Sequence, residues 1–184
     1  MLSTPEVLRR TGGQPVKSIV FDQATIAARV EALGAEITEA YPDGDLLVLG
    51  LLKGSFIFLG DLVRTIQRPI QIDFLVAASY GDAKLSSGSV RLLYDPETRL
   101  EGKHILLVED IIDTGKTMQR LMKLLGPRHP RSMAICTVLD KELATEIRPE
   151  LRFVGFRAPS AFLVGYGLDH AENYRHLPFI ADLE

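Results

Sequence analysis

The chain has 184 residues, 46% hydrophobic and 24% charged, with a formal net charge of -3. That size and composition fit one globular domain with a sizeable core and exclude disordered and fibrous classes. The negative balance supplies no broad basic field for nucleic acid, so an anionic ligand has to be gripped locally, by backbone amides or a few placed cations.

The single cysteine, Cys136, lies in MAICTVLD and reads as a small core hydrophobe. One cysteine excludes an intramolecular disulfide and a zinc cluster built from thiolates. The opening segment, MLSTPEVLRRTGG, lacks the apolar core of a secretory signal, and no apolar run reaches membrane-spanning length. A cytoplasmic protein that binds neither membrane nor nucleic acid is the expectation.

In chain order, roughly the first 15 residues read as a loose arm. Asp22 is placed to cap a helix with Ile26, Val30, Leu33 and Ile37 on one stripe, and Pro42, Asp43 and Gly44 end it. LLVLGLL (46–52) is a continuous apolar run, the mark of a strand covered on both faces. Ser55 starts a second helix with Phe56, Leu59, Val63 and Ile66 on one side, and IDFLVA (72–77) follows as a strand. Residues 78–99, rich in Ser, Gly and Asp, with alternation returning at SVRLLYD, read as a long mobile hairpin.

HILLVED (104–110) is a further buried strand, Thr117 to Leu125 an amphipathic helix closed by Gly126 and Pro127, and MAICTVL (133–139) and RFVGF (152–156) are strands. This alternation predicts an α/β fold, a mostly parallel central sheet with helices on both faces, in one domain spanning 1–184. Ligands of such folds bind at the carboxyl ends of the strands.

One strand end stands out. After ILLV come Glu109 and Asp110, two apolar residues, then Asp113-Thr114-Gly115-Lys116-Thr117 and a helix. Small residues let backbone approach a phosphate, and amides at a helix N-terminus favour anions; Thr114 and Thr117 add hydroxyl donors. Three carboxylates beside such a cradle repel an anion unless they serve another partner. Sugar hydroxyls and magnesium are natural ones, so the local chemistry points to a phosphorylated sugar. Gly-Lys-Thr is not a P-loop here, because Asp110 stands where the first glycine is needed. Helix capping accounts for one of these residues, not for three acids around a glycine turn.

VEDIIDTGKT resembles the phosphoribosyl pyrophosphate motif of type I phosphoribosyltransferases, in detail the hypoxanthine-guanine branch. Leu52-Lys53-Gly54-Ser55 resembles that family's pyrophosphate loop, in which the Leu-Lys bond is often cis. Ser79-Tyr80-Gly81 resembles the flexible loop that closes over the site, and VLDKEL (138–143) and FLVGYGLDHAENYR (162–175) resemble the base-binding region. The likeness runs from about Leu46 to the C-terminus; the stretch after Lys141, ELATEI, departs from the proline and basic residues of many bacterial relatives.

The resemblance implies transfer of a 5-phosphoribosyl group from phosphoribosyl pyrophosphate to N9 of hypoxanthine or guanine, giving IMP or GMP and pyrophosphate, with Mg2+. Asp113 would be the acid/base residue at purine N7. Glu109 and Asp110 would hold the ribose hydroxyls, directly or through magnesium, and Thr114, Gly115, Lys116 and Thr117 the 5-phosphate. Lys53, Gly54 and Arg175 would contact pyrophosphate. Lys141 would bond the 6-oxo group, Phe162 would stack on the ring, Leu163 would give backbone contacts, and Asp169 would help bind magnesium. The N-terminal arm and C-terminal segment would form a small hood over the base, and the assembly would be a homodimer or homotetramer.

Two rivals fit parts of this pattern. An adenine or orotate phosphoribosyltransferase meets an objection at Lys141, since a lysine donor suits an oxo group rather than an amine; a xanthine-preferring enzyme stays open. Pyrimidine attenuator proteins, which bind RNA, share the motif but commonly lack the aspartate found at Asp113, and a chain without a basic face suits RNA poorly.

Overall fold

The computed structural model describes residues 4–79 and 90–183. A short helix α1 (Pro5–Arg10) leads to strand β1 (Ser18–Phe21), helix α2 (Gln23–Ala40), strand β2 (Leu46–Leu52), helix α3 (Phe56–Thr65) and strand β3 (Gln71–Ser79). Then come strands β4 (Val90–Tyr94) and β5 (His104–Ile112), helix α4 (Lys116–Leu125), and strands β6 (Ser132–Asp140), β7 (Leu151–Arg157), β8 (Leu163–Val164) and β9 (Ile180–Asp182).

The central sheet has the order β4-β3-β2-β5-β6-β7. Its pairs are parallel except for β4, which runs antiparallel to β3 at one edge. Alternation along the strands explains the layers. Val48, Leu106, Val108, Ala134 and Cys136 pack with α2 and α3 on one face. Leu47, Leu49, Ile105, Leu107 and Ile135 pack with α4 on the other. Both sides of each central strand are covered, which is why these strands read as unbroken apolar runs. A fully buried leucine is worth roughly 1.5–3 kcal/mol of burial, so these two layers dominate stability.

Local expectations are met in detail for α2. The Asp22 side chain accepts a hydrogen bond from the Thr25 amide at 2.7 Å, and Ile26, Val30, Leu33 and Ile37 form the buried stripe. Asp22 is held below the usual carboxylate range by that same amide bond. At α3, Ser55 is the capping residue by position, but its hydroxyl donates to the Leu51 carbonyl at 2.7 Å instead of capping the helix.

Two expectations are corrected. From Thr4 onward the first stretch is not a loose arm: Thr4 caps α1, and Val7 and Val16 are buried with Val164, Leu177, Phe179 and Ala181. Strand β1 then pairs antiparallel with β9, and β9 with β8, making a small second sheet. The N-terminal residues lacked a visible pattern because their partners lie at the other end of the chain. The second correction concerns β5, which does not end at Asp110. It continues to Ile112 because β6 runs beside it, with Glu109 opposite Thr137 and Ile112 opposite Asp140.

The chain crosses between the two halves of the sheet at β2 and β5: β3 lies on one side and β6 on the other. Strand order reverses there, and a crevice opens at the carboxyl ends. The loop after β2 and the acidic end of β5 border that crevice. Of the long hairpin, β3 and β4 pair with Ser79 opposite Val90; Tyr80 and the tip lie outside the described residues.

Candidate active site

Successive strand residues point to opposite faces, and Glu109 and Asp110 use that alternation. Glu109 lines a cavity of about 110 Å³ with Asp113, Thr114, Gly115, Lys116 and Thr117. Asp110 lines another of about 270 Å³ with Lys141, Phe162, Leu163 and Asp169. Ile111 borders both. The sequence passed over Ile111 as an apolar spacer; its place between two groups of polar residues was the available signal.

The smaller cavity sits at the start of α4. Gly115 has φ 73°, a left-handed conformation that disfavours any side chain, and an added Cβ would come 2.6 Å from the Ala144 Cβ. The glycine turn thus rests directly on the loop after β6. No side chain among the described residues caps this helix start, which leaves its first amides available to an anion. Burial, and then the neighbouring Asp110 carboxylate, push the Glu109 carboxyl well above the usual range. A hydroxyl or a divalent cation would relieve that crowding.

In the larger cavity, the Lys141 ammonium lies 3.1 Å from Asp113 Oδ2, with both side chains partly open to solvent. Phe162 is exposed at 41% and stands edge-on to His170, ring centroids 5.2 Å apart. Leu163 is buried and pairs with Asp182 on β9.

The loop after β2 closes against this site. The Leu52-Lys53 bond is cis. An added Cβ on Gly54 would fall 1.7 Å from Asp110 Oδ2, so the backbone there approaches the acid as closely as glycine allows. The Lys53 ammonium lies 3.2 Å from Glu172 Oε2. Arg175 approaches the same carboxylate at 3.5 Å and pairs more closely with Asp169, at 2.7 Å. It also donates to the Gly167 carbonyl at 2.8 Å. Lys53 and Arg175 therefore converge on Glu172, a residue sequence reasoning did not single out. Its left-handed backbone (φ 64°) places it, and no local sequence pattern announces that.

The candidate residues thus gather from five loops at one end of the sheet. Ser79 is described only through its backbone pairing, and Tyr80 lies outside the described residues. Among the described residues, no group of three or more His, Cys, Asp or Glu is arranged to hold a metal. Magnesium commonly takes one or two carboxylates and completes its shell with substrate oxygens and water, and the Glu109–Asp110 pair suits that mode.

Residues 17–171, which include the acidic strand end, the glycine turn and the helix start, match the phosphoribosyl transferase domain. The chain belongs to the phosphoribosyltransferase family. Within it, the chain is 44% identical over 164 residues to the hypoxanthine phosphoribosyltransferase of Salmonella typhimurium, covering 88% of this chain and 92% of that one. It superposes on a hypoxanthine phosphoribosyltransferase structure from Staphylococcus aureus with a TM-score of 0.88 at 35% identity, covering 99% of this chain and 97% of the other. A hypoxanthine-guanine phosphoribosyltransferase from Bacillus anthracis, solved with HEPES in its active site, gives 0.86 at 37% identity, covering 92% and 100%.

Proposed function

We propose that this chain transfers the 5-phosphoribosyl group of phosphoribosyl pyrophosphate to N9 of hypoxanthine or guanine, releasing pyrophosphate and giving IMP or GMP for purine salvage. The observation that carries the reading is the Lys141–Asp113 pair, 3.1 Å apart beside the cavity that Phe162 lines. A 6-oxopurine presents its oxo group and N7 side by side on one edge. An ammonium donor matches the first and a carboxylate the second. Adenine presents an amine in place of the oxo group, which sets two donors against each other.

In this mechanism the C1–oxygen bond breaks with its electron pair leaving on pyrophosphate, and N9 forms the new bond to C1. The sugar passes through an oxocarbenium-like state. Asp113 takes the proton from purine N7 as the ring becomes a nucleotide. Glu109 and Asp110 hold the ribose hydroxyls, while Thr114, Lys116 and Thr117 surround the 5-phosphate on the Gly115 turn. Lys53, Gly54 and Arg175 meet the leaving pyrophosphate, which requires the two cations to exchange Glu172 for substrate oxygens. Glu109 and Asp110, and separately Asp169, are the carboxylates that would hold magnesium, whose charge would offset that of pyrophosphate.

The proposal includes a cytoplasmic homodimer or homotetramer in which the whole chain forms one domain. Among the described residues no helix is long and apolar enough to cross a membrane. Ile72 and Phe74 remain exposed on β3, an apolar surface of the kind subunit contacts use. The specificity test is pyrophosphate release with hypoxanthine, guanine, xanthine and adenine in parallel. Release with the first two and not with adenine is expected; preference for adenine overturns the reading.

A further inference from the structure

The loop joining β6 to β7 carries Lys141, and one ion pair ties its two ends. Asp140, 3% exposed, closes β6. Its carboxylate accepts Arg148 Nη2 at 3.0 Å, Arg148 Nη1, and the Glu142 amide at 2.8 Å. The backbone on either side is held by the sheet: Lys141 N donates to Ile112 O at 2.9 Å, and Ala158 N to Asp140 O at 2.8 Å. Arg148 follows the short 3-10 turn Thr145–Ile147.

The loop closed in this way touches the acidic turn at two points and the helix after it at a third. Lys141 meets Asp113 at 3.1 Å. Ala144 and Ile147, 1% and 2% exposed, lie under Gly115, whose added Cβ would fall 2.6 Å from Ala144 Cβ and 3.0 Å from Ile147 Cδ1. Glu146 accepts a hydrogen bond from the Gln119 side chain on α4. One loop therefore presents the cation of the larger cavity and also forms the floor beneath the turn of the smaller one.

We infer that the Asp140–Arg148 pair is a positioning latch that sets the spacing between the purine subsite and the 5-phosphate turn. The inference rests on the assignment of those subsites above. A carboxylate this buried must be paired, and a guanidinium gripping both oxygens fixes the carboxylate plane and the loop end together. Lysine would keep the charge but make a single-point contact.

The test uses the full chain with Arg148→Lys, Arg148→Gln and Arg148→Gln combined with Asp140→Asn, each at a temperature where circular dichroism shows it folded. Arg148→Lys covers the case in which Arg148→Gln, leaving Asp140 without a counter-charge, does not fold. The KM values for hypoxanthine and for phosphoribosyl pyrophosphate rise together, about tenfold in Arg148→Gln and less in Arg148→Lys, with kcat changed less. The double variant recovers part of both, because a neutral amide pair replaces the broken ion pair. Hydrogen exchange accelerates in residues 113–119 and 141–147 together. Folded variants with both KM values unchanged, or with faster exchange in 141–147 alone, overturn the latch. If the wild-type chain transfers no phosphoribosyl group, the enzyme reading fails instead, and the exchange comparison decides the latch by itself.

Discussion

Gly54 and Asp110 touch with no room for a side chain between them: an added Cβ on the glycine would lie 1.7 Å from Asp110 Oδ2. The loop after β2 and the acidic end of β5 thus form one surface. Asp110 is also held from the other direction, its Oδ1 accepting the Ile111 amide at 2.7 Å. Gly54→Ala must move either the loop or the carboxylate. Turnover should fall by about 100-fold or more, as expected when catalytic groups shift by an ångström. Stability should fall by about 1–3 kcal/mol, the usual range for overpacking. Steady-state kinetics and denaturant melts measure the two, and full activity in the variant removes this contact from the active site.

Asp113→Asn keeps the shape of the side chain and removes its ability to take a proton. Turnover should drop by about 10²–10⁴-fold, the range for loss of a positioned acid/base group. IMP affinity, measured by calorimetry, should stay within a few-fold. Equal turnover in the variant excludes Asp113 as the base, and a large loss of IMP affinity assigns it to binding instead.

Lys141→Ala removes the donor proposed for the 6-oxo group. A hydrogen bond to a charged partner is worth about 1.5–3 kcal/mol, so the KM for hypoxanthine should rise roughly 10- to 150-fold. The KM for phosphoribosyl pyrophosphate should change far less, because Lys141 lines the larger cavity and not the one around Thr114 and Thr117. A rise confined to phosphoribosyl pyrophosphate contradicts the assignment.

Asp73 on β3 anchors the return of the hairpin. Its carboxylate accepts the Phe74 amide at 2.8 Å and the Thr98 amide at 2.9 Å. Burial works to raise its pKa, but these amides outweigh it and hold the carboxyl below its ordinary value. A pKa depressed on folding contributes stability that is complete above the unfolded value, about 3.9, and disappears as pH falls through the folded value. Asp73→Asn should therefore lose stability at pH 7 and show a shallower acid-side decline than wild type. Parallel acid titrations of the two proteins, followed by circular dichroism, would contradict this.

The parts legible in the sequence were those with local causes. The Asp22 cap, the α2 stripe and the doubly covered strands each announce themselves within a few residues. Glu109, Asp110 and the Asp113–Thr117 turn lie within nine residues of one another, so their grouping at one strand end was visible, but their division between two cavities was not. What escaped depends on distant partners. Strand β1 exists because β9, some 160 residues later, pairs with it. Glu172 is met by Lys53, 119 residues away in the chain. None of these pairings leaves a periodic trace.

The central claim is tested most directly by incubating the chain with hypoxanthine, phosphoribosyl pyrophosphate and Mg2+, and identifying the products by chromatography and mass. The account predicts IMP, linked through N9, with one pyrophosphate released for each IMP formed. Release of pyrophosphate with ribose 5-phosphate and no nucleotide, or no release at all, contradicts it.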